Sequence, residues 1–448
     1  MCLLCIDPGR ATVIEQNTID LAAARLEVWL ETLRGPAGAL PYGGPVAHWW
    51  RQSLLYTGPG FDWRYEGIIF GYLNLWKHTN EPCWLAKARR AGEDLLFSQF
   101  PGGHFPFSAF ESNPASGGTP HEAAASLGLL ELAKALRTAN QPDWELYQDA
   151  AIRNLRAYYL EKLWDPLIRA FRDHPQIASF VPNKAATACQ AFFLWSELSG
   201  DERWADEYAL PNLERILAYQ VSSQGTLKGA IAQNSLESRL VSRYMPFYIA
   251  RCVPGLVQGY AWSGQERFLT GASLAMDFIL KQRSPNGLLL PVVYPGGQTN
   301  YWPQWVAALG DILLASEMLL PYGFQYDLEE LRDCFLSGQD SSGGFQTAIG
   351  FASQANGKAE KIPEFRDLLH VAGWCDKAFH WLTNHVSDNT LPAVSCQPFK
   401  ADCVFLGRNL TFYEDDERVQ VTQARKTVYL WIKGETWARE AIPEFWLH

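Results

Sequence analysis

One short phrase recurs along this chain at a spacing of about sixty residues, and it constrains the fold more than any other feature. In each copy an apolar helix end is followed by Gln, a Gly turn and an apolar residue. The clear copies are LLFSQFPGGHF, ILAYQVSSQGTL, ILKQRSPNGLL and FLSGQDSSGGF, with Gln at positions 99, 220, 282 and 339. These positions are 121, 62 and 57 residues apart. The spacing therefore predicts six units, with degenerate copies near Gly38 and Asp165.

Two helical patterns lie between successive copies and are separated by turn signals such as Asn80-Glu81-Pro82. A helix near 364–385 has only the N-terminal helix near 15–34 left as a partner, so the pairs must close into a ring. We predict an all-α fold, an (α/α)6 toroid of six helical hairpins over residues 1–385. The other predicted pairs are 61–79 with 84–98, 120–138 with 143–162, 184–199 with 203–219, 244–262 with 265–281, and 302–319 with 326–337.

The two helices of each pair differ in composition. The first is poor in charge and has small residues in its middle, as at Ala123–Ala125, Ala185–Ala188 and Ala307–Gly310. The second carries charge on one face, as between Glu145 and Arg156. Small side chains allow close helix packing and a charged face suits solvent, so we assign the first helices to an inner wall and the second to an outer wall.

The pattern changes after residue 385. Alternating and β-branched runs between Cys403 and Lys433 predict two or three strands, so we assign 386–448 to a small C-terminal extension with short strands. The acidic run from Glu414 to Glu417 is expected to be a solvated turn between them.

Composition excludes several classes of function. The formal net charge of −10, with no basic run, disfavours nucleic acid as a partner. No apolar stretch approaches the roughly 20 residues of a membrane span, and the start of the chain does not resemble a signal peptide. The nine Cys are scattered and odd in number, as expected of a reduced, cytoplasmic protein. Nucleotide-binding, zinc-protease and nucleophile-elbow motifs are absent, so we expect no cofactor or metal; the oligomeric state is left open.

In a ring of hairpins the inner helices all begin at one end, where polar and aromatic side chains from distant parts of the chain would meet. Acid–base chemistry needs carboxylates or His at such a point. The catalytic candidates are Glu122, Glu66, His121, Asp62 and His370. The candidates for substrate binding are Arg64, Tyr65, Trp63, Lys184, Arg243, Tyr244, Tyr301, Trp302, Trp305, Asp367 and Trp374.

Each of these candidates also has a purely structural interpretation. An acid in a first helical turn suits the helix dipole, and a His there can serve as a cap. The cations could bind a carboxylate or a diphosphate, or could neutralise neighbouring acids. The Trp residues could stack on a sugar face or simply fill the core.

The stretch GGTPHEAAASLGLLELAKAL, from Gly117 to Leu136, resembles an inner-helix start of the six-hairpin glycosidase-like enzymes. The resemblance covers about residues 15–385. It implies a hydrolase, lyase or epimerase acting on a small-molecule or oligosaccharide substrate, with Glu122 at a position that often holds an acid.

The phrase GQDSSGGFQ, from Gly338 to Gln346, is similar to the Q-x3-G-x-[WF] repeat of the terpene cyclase and protein prenyltransferase clan. That resemblance implies an isoprenoid substrate in the toroid cavity. However, the DxDD motif of class II cyclases is missing, and the spacing of Asp367, Cys375 and His380 does not match the zinc triad of the prenyltransferases. Small residues line the middle of the inner helices, whereas a carbocation cavity needs large apolar ones. We therefore favour a carbohydrate enzyme over an isoprenoid enzyme, and both over a non-catalytic binding toroid.

Overall fold

Helices form most of the structure, a computed structural model that describes residues 8–46, 55–56, 63–106, 122–236, 239–354, 356–435 and 438–441. In chain order the α-helices are α1 (Pro8–Thr32), α2 (Arg64–Thr79), α3 (Pro82–Ser98), α4 (Glu122–Thr138), α5 (Trp144–Asn154), α6 (Pro182–Ser199), α7 (Leu210–Leu217), α8 (Pro246–Ala250), α9 (Val253–Ser263), α10 (Glu266–Leu280), α11 (Leu309–Glu317), α12 (Glu329–Leu336), α13 (Phe351–Gln354), α14 (Phe365–Leu368) and α15 (Ala372–Asn384). A π-helix continues α5 over Leu155–Leu163, and another leads into α7 over Trp204–Ala209.

The inner helices form a closed ring. Around it, α2 packs on α4, α4 on α6, α6 on α8 and α9, α8 on α11, α11 on α15, and α15 back on α2. Each inner helix also packs on an outer partner, namely α3, α5, α7, α10, α12 or α1. The sixth pair joins the two ends of the toroid, because α1 packs on α15. The predicted (α/α)6 toroid is thus confirmed.

Glycines allow the inner helices to approach one another closely. A Cβ on Gly67 of α2 would overlap the main chain of Asp376 in α15, and a Cβ on Gly310 of α11 would overlap the main chain of Lys377. These contacts bring α2 and α11 against opposite sides of α15. They also fix the position of the charged residues of α15 along the axis of the ring.

The recurring Gln residues connect successive outer helices. The Gln99 side chain donates to the carbonyl of Gly103 in its own turn (2.9 Å) and to that of Ala150 in α5 (2.8 Å). Gln220 does the same with Gly229 and with Gly271 of α10. Gln339 binds Gly343 and Ala22 of α1, both at 2.9 Å, which closes the outer ring. At three of its four clear copies the sequence repeat is therefore a hydrogen bond between neighbouring units, whereas Gln282 of the fourth donates to Phe278.

Short strands lie at the helix starts, and a larger sheet lies at the C-terminus. They are β1 (Pro45–Val46), β2 (Leu55–Tyr56), β3 (Trp164–Asp165), β4 (Ala170–Phe171), β5 (Ser179–Phe180), β6 (Asn234–Leu236), β7 (Arg239–Val241), β8 (Val292–Val293), β9 (Thr299–Asn300), β10 (Gln304–Trp305), β11 (Ala348–Ile349), β12 (Phe399–Phe405), β13 (Arg408–Glu414), β14 (Arg418–Gln423), β15 (Lys426–Ile432) and β16 (Glu440–Ala441). Strands β12 to β16 pair in chain order as an antiparallel meander.

One prediction about the C-terminal part was wrong, and another holds for only part of its range. The extension has five strands in the described residues rather than two or three, because the strands begin as early as Phe399 and continue to Ala441. Residues 415–417 do connect β13 and β14 at the surface, but Glu414 ends β13 and its alternating position turns it into the interface with the toroid, where it is 1% exposed. The division of the chain at residue 385 stays a prediction.

A helix predicted near 364–385 is also broken. The structure has the short α14 at 365–368, an extended segment, and then α15 from Ala372. In that segment His370 forms a bridge with Gln346, so its main chain pairs with a neighbouring loop instead of with the helix. Within the described ranges no helix has both the length and the apolar character needed to cross a bilayer.

Candidate functional site

Five charged side chains meet at the centre of the inner ring. We call Glu66, Arg251, Asp311, Asp376 and Lys377 the central charge cluster. Glu66 accepts hydrogen bonds from Nη2 of Arg251 at 2.7 and 3.0 Å and from Nζ of Lys377 at 3.0 Å. Because α2 and the α8–α9 link are not neighbours in the ring, the pairing of Glu66 with Arg251 spans its interior.

The remaining members complete the cluster from two more helices. Asp311 of α11 lies 3.4 Å from Nη1 of Arg251, and Thr187 of α6 accepts from Nη2 at 3.2 Å. Asp376 of α15 binds Nζ of Lys377 at 2.8 Å and accepts the N–H of Gly67 at 3.2 Å. Its second oxygen, Oδ1, is buried without a hydrogen-bond partner among the described residues.

The cluster fixes the protonation of Glu66. Burial alone would raise the pKa of Glu66, but the charges of Arg251 and Lys377 outweigh it and lower that pKa to about 2. Glu66 is therefore a carboxylate at any ordinary pH and cannot donate a proton.

The other two acids behave differently. Burial raises the pKa of Asp376 to about 8 even though Lys377 opposes the shift, and burial likewise raises the pKa of Asp311 against the effect of Arg251. The cluster thus contains one carboxylate held ionised and two acids held toward the protonated form, a separation typical of acid–base sites.

Three tryptophans lie directly beside this cluster. The ring centroids of Trp63 and Trp374 are 5.5 Å apart, and those of Trp374 and Trp305 are 5.0 Å apart. Nζ of Lys377 lies 5.6 Å from the Trp63 ring. Trp63 and Trp374 are half-buried, whereas Trp305 is 4% exposed. The structure therefore joins an aromatic surface to the central charge cluster at the end where the inner helices begin.

His380 lies on the inner wall one turn beyond Lys377. Its ring stacks on Phe70 of α2 with centroids 4.7 Å apart. Burial and the nearby cations lower its pKa to about 3, although Glu66 opposes that shift. Part of the His380 side chain is accessible. His380 is thus a neutral imidazole.

The structure brings together some of the predicted site residues and separates others. Glu66, Trp63, Trp305 and Trp374 meet as described, and the guanidinium of Arg64 lies 5.4 Å from the Trp63 ring. Asp62 and His121 lie outside the described residues. For Glu122 only the main chain, at the start of α4, is described.

Tyr65 does not reach the interior of the ring, which corrects its prediction as a substrate-binding residue. It lies on the outer side of α2, where its hydroxyl donates to Asp94 of α3 at 2.9 Å. The hydroxyl also accepts the N–H of Tyr42 at 3.1 Å. The phenol is fully buried between the two walls, so its task is packing.

Asp367 and His370 also lie elsewhere than predicted. Asp367 caps α14 by accepting the N–H groups of Glu364 and Phe351 at 2.9 and 3.0 Å, and burial raises its pKa to about 7. His370 is completely buried between Asp340 (2.7 Å) and Glu414 (2.6 Å). Both residues belong to the contact between the toroid and the C-terminal sheet, because the break before α15 turns them outward.

The last predicted residues lie around the rim. Lys184 pairs with Asp173 at 2.9 Å, which supports the neutralising interpretation. Tyr244 is buried and its ring meets Phe278 of α10 at 6.3 Å, so it faces the outer wall. Arg243 is half-buried beside it. Tyr301 is 54% exposed and Trp302 is half-buried, on the segment that leads into β10.

Sequence reasoning missed four of the five cluster members because it considered only the starts of the inner helices. A different signal was present. Arg251 is the one charge in MPFYIARCVPGLV, Asp311 the one in VAALGDILLAS, and Asp376 and Lys377 interrupt the apolar run around Cys375. A lone charge in an apolar helix needs a buried partner of opposite charge. Lone charges in several apolar helices therefore predict that these side chains pair with one another.

A scan against protein-family models finds no match, and a search of curated proteins finds none either. Solved structures do match. A D-mannose isomerase superposes with a TM-score of 0.57 at 11% identity, covering 83% of this chain and 97% of the isomerase. An unsaturated glucuronyl hydrolase specific for heparin gives 0.55 at 10% identity, with 82% and 96% covered.

A third match is an inactive variant of the alpha-1,6-mannanase GH76A of Salegentibacter sp. HEL1_6 in complex with alpha-1,6-mannotetrose. Its TM-score is 0.51 at 9% identity, with 82% of this chain and 98% of the mannanase covered. At such low identity these matches establish the shared toroid fold. They agree with the first of the two sequence resemblances, and none of the three is a terpene cyclase or prenyltransferase.

Proposed function

We propose that this chain is an enzyme of the hydrolase, lyase or epimerase type that acts on a carbohydrate at the entrance of its inner ring. One observation carries the proposal: the Trp63 ring lies against Lys377, which binds Glu66. A flat apolar surface beside fixed charges is what a sugar ring needs, since its faces are apolar and its edge is polar.

The solved structures support the class of substrate. The three similar proteins are named as a mannose isomerase, a glucuronyl hydrolase and a mannanase. All are named for sugars, but for different sugars and different reactions. Their common toroid therefore supports a carbohydrate substrate in general and not one particular sugar or glycosidic bond.

The isoprenoid alternative loses support from the same cluster. A carbocation in a toroid needs apolar walls in the depth of the ring. Here two cations, Arg251 and Lys377, lie at the centre and would repel it. The binding toroid without catalysis is disfavoured because a buried cluster of this kind is costly to desolvate and rarely improves stability.

The protonation states divide the possible roles. Glu66 is held ionised, so it can stabilise positive charge and position the two cations, but it is a poor proton donor and a weak base. The acids that can exchange a proton are then Asp311 and Asp376, or the predicted candidates Glu122 and His121. Arg251 is the cluster member with the most exposed side chain, 18%, so it can contact a substrate hydroxyl or carboxylate directly.

The test begins with a panel of mannose-, glucose- and uronate-containing oligosaccharides assayed for reducing ends, unsaturated products and epimers. On the substrate found, Glu66→Gln and Glu122→Gln should each lower kcat by about 100-fold or more. The folding of each variant is checked by circular dichroism, because Glu66 neutralises two buried cations. Glu197→Gln is the control, because Glu197 lies on the exposed end of α6 and pairs with Lys134 at 2.7 Å.

Two results would count against the proposal. If both Glu variants keep wild-type activity, the carboxylates are not the acid–base groups. If no carbohydrate in the panel is bound or converted, the assignment to carbohydrate chemistry fails.

A further inference from the structure

Ring contacts run from the central charge cluster to Trp305 and Phe351, and Trp302 and Tyr301 precede Trp305 on the segment that leads into β10. The row begins at Trp63 and passes through Trp374 to Trp305, with centroid distances of 5.5 and 5.0 Å. Trp305 in turn meets Phe351 edge-on at 6.3 Å. We call Trp63, Trp374, Trp305, Trp302 and Tyr301 the aromatic row.

The outer end of the row is held by the pairing of β10 with β11. Trp305 pairs with Ala348, and Gln304 with Ile349. Gly350 follows directly, and a Cβ at that position would overlap the Trp302 ring. Glycine is therefore required for Trp302 to lie flat on the β11 end, which fixes the indole at the rim.

Exposure differs between the members of the aromatic row. Trp305 is buried and serves as the support, whereas Trp63, Trp374 and Trp302 each keep part of the ring accessible. Tyr301 at the end is 54% exposed. An enzyme for a single small sugar needs only the surface next to the cluster. Accessible aromatic faces farther from the cluster would not contact such a substrate. Exposed aromatic side chains also lower solubility.

Resting on the proposed function, we infer that the substrate is a chain of at least three sugar units. The reacting unit lies at Trp63 and the central charge cluster, and the following units stack on Trp374 and then on Trp302 and Tyr301. The chain leaves the toroid on the side of α11 and α15. This geometry makes binding depend on chain length.

The inference is tested by calorimetric titration of the full-length protein with α-1,6-linked manno-oligosaccharides, cello-oligosaccharides and unsaturated heparin oligosaccharides of two to six units. In the series that binds, affinity should rise by about 3- to 10-fold for the units that reach Trp302 and then level off. Trp302→Ala and Tyr301→Ala should remove that gain and leave the affinity for the disaccharide unchanged. Trp302→Phe, which keeps an aromatic face, should restore most of it.

Tyr322→Ala is the matched control, because Tyr322 is an accessible aromatic residue (36%) beyond the opposite end of α11. It should bind every length as the wild type does. Tyr301→Ala keeps the test decisive if Trp302→Ala fails to fold, since the Tyr301 side chain is largely in solvent.

The outcomes separate the two proposals. If one series binds but its affinity is independent of length, or if the rim variants weaken the disaccharide as much as the longer chains, the inference is wrong and the carbohydrate assignment stands. If none of the three series binds, the proposed carbohydrate function is wrong, and the inference on chain length is wrong with it.

Discussion

Arg251 joins two acids of the central charge cluster, Glu66 and Asp311, to Thr187 of α6. Its guanidinium binds both oxygens of Glu66, the hydroxyl of Thr187 and, at longer range, Asp311. Replacing it with Met keeps the volume but leaves Asp311 without its cation and Glu66 with Lys377 alone. Breaking a buried ion pair on one side costs about 3–5 kcal/mol, so Arg251→Met should lower the free energy of unfolding by about that amount in urea titrations.

The comparison for this variant is Lys134→Met. Lys134 pairs with Glu197 at 2.7 Å, but both side chains are exposed, and such pairs contribute less than about 1 kcal/mol. Equal losses for the two variants would show that the cluster is solvated, and the acid–base roles assigned to it would then lose their physical basis.

At the residue scale the sequence allowed only part of the site to be predicted. Glu66 and the tryptophans were found because they lie at helix starts, where a ring brings side chains together. Asp376 and Lys377 lie deeper in α15, and their meeting with Glu66 depends on the close approach of α2 at Gly67. That distance depends on how two helices pack, so the periodicity of residues along one helix does not predict it.

At the scale of elements, the recurring Gln is the feature of the fold that the sequence predicts most directly. Gln339→Ala removes two hydrogen bonds and leaves the carbonyls of Ala22 and Gly343 without this donor. Ala22 lies within α1, where its carbonyl also accepts inside the helix, so the loss is the net value of the two hydrogen bonds, about 1–3 kcal/mol together. We expect a loss of that size per residue replaced, measured as a lower Tm and a lower urea midpoint.

Gln282→Ala is the internal comparison, because Gln282 stands in the same phrase but donates only to Phe278 in its own helix, at 3.0 Å. It should cost clearly less than Gln339→Ala or Gln99→Ala. If all three cost the same, the bond between neighbouring outer helices contributes nothing, and the repeat marks a turn preference alone.

Helix ends were predicted less well than helix pairs. The pairing follows from the sixty-residue period, whereas the breaks before α15 and between α8 and α9 follow from contacts with other parts of the chain. His370 shows why: the strength of its two ion pairs and of its pairing with Gln346 outweighs the local helical pattern. The helical pattern near 364–385 is a local property of the sequence and does not reflect these competing contacts.

At the scale of the whole molecule, a buried ionic network joins the C-terminal sheet to the toroid. Glu414 of β13 binds the indole N–H of Trp29 in α1 (2.7 Å), His370 (2.6 Å) and Lys433 (2.8 Å), which directly follows β15. Lys433 also donates to Thr32 at the end of α1. The sequence showed none of this, because the acidic run around Glu414 looks like an ordinary turn until the sheet is folded.

This network makes the stability of the whole molecule dependent on pH in the alkaline range. Burial would lower the pKa of His370, but Asp340 and Glu414 outweigh it and raise that pKa to about 10. In the unfolded chain the pKa returns to about 6.5. The stabilisation is therefore complete below about pH 6.5 and is lost progressively as the pH rises through 10.

His370→Gln isolates this contribution, because the amide keeps much of the shape but cannot carry charge. Urea unfolding of both proteins between pH 6 and 10 should show the wild type more stable by a few kcal/mol at pH 6, with the difference shrinking steadily toward pH 10. His78→Gln is the control: its partner Asp388 is largely exposed, so its difference should be small at every pH. A His370→Gln difference that stays constant with pH would mean that His370 is neutral in the folded protein, and the sheet would then be held by packing around Phe412 and Trp29 alone.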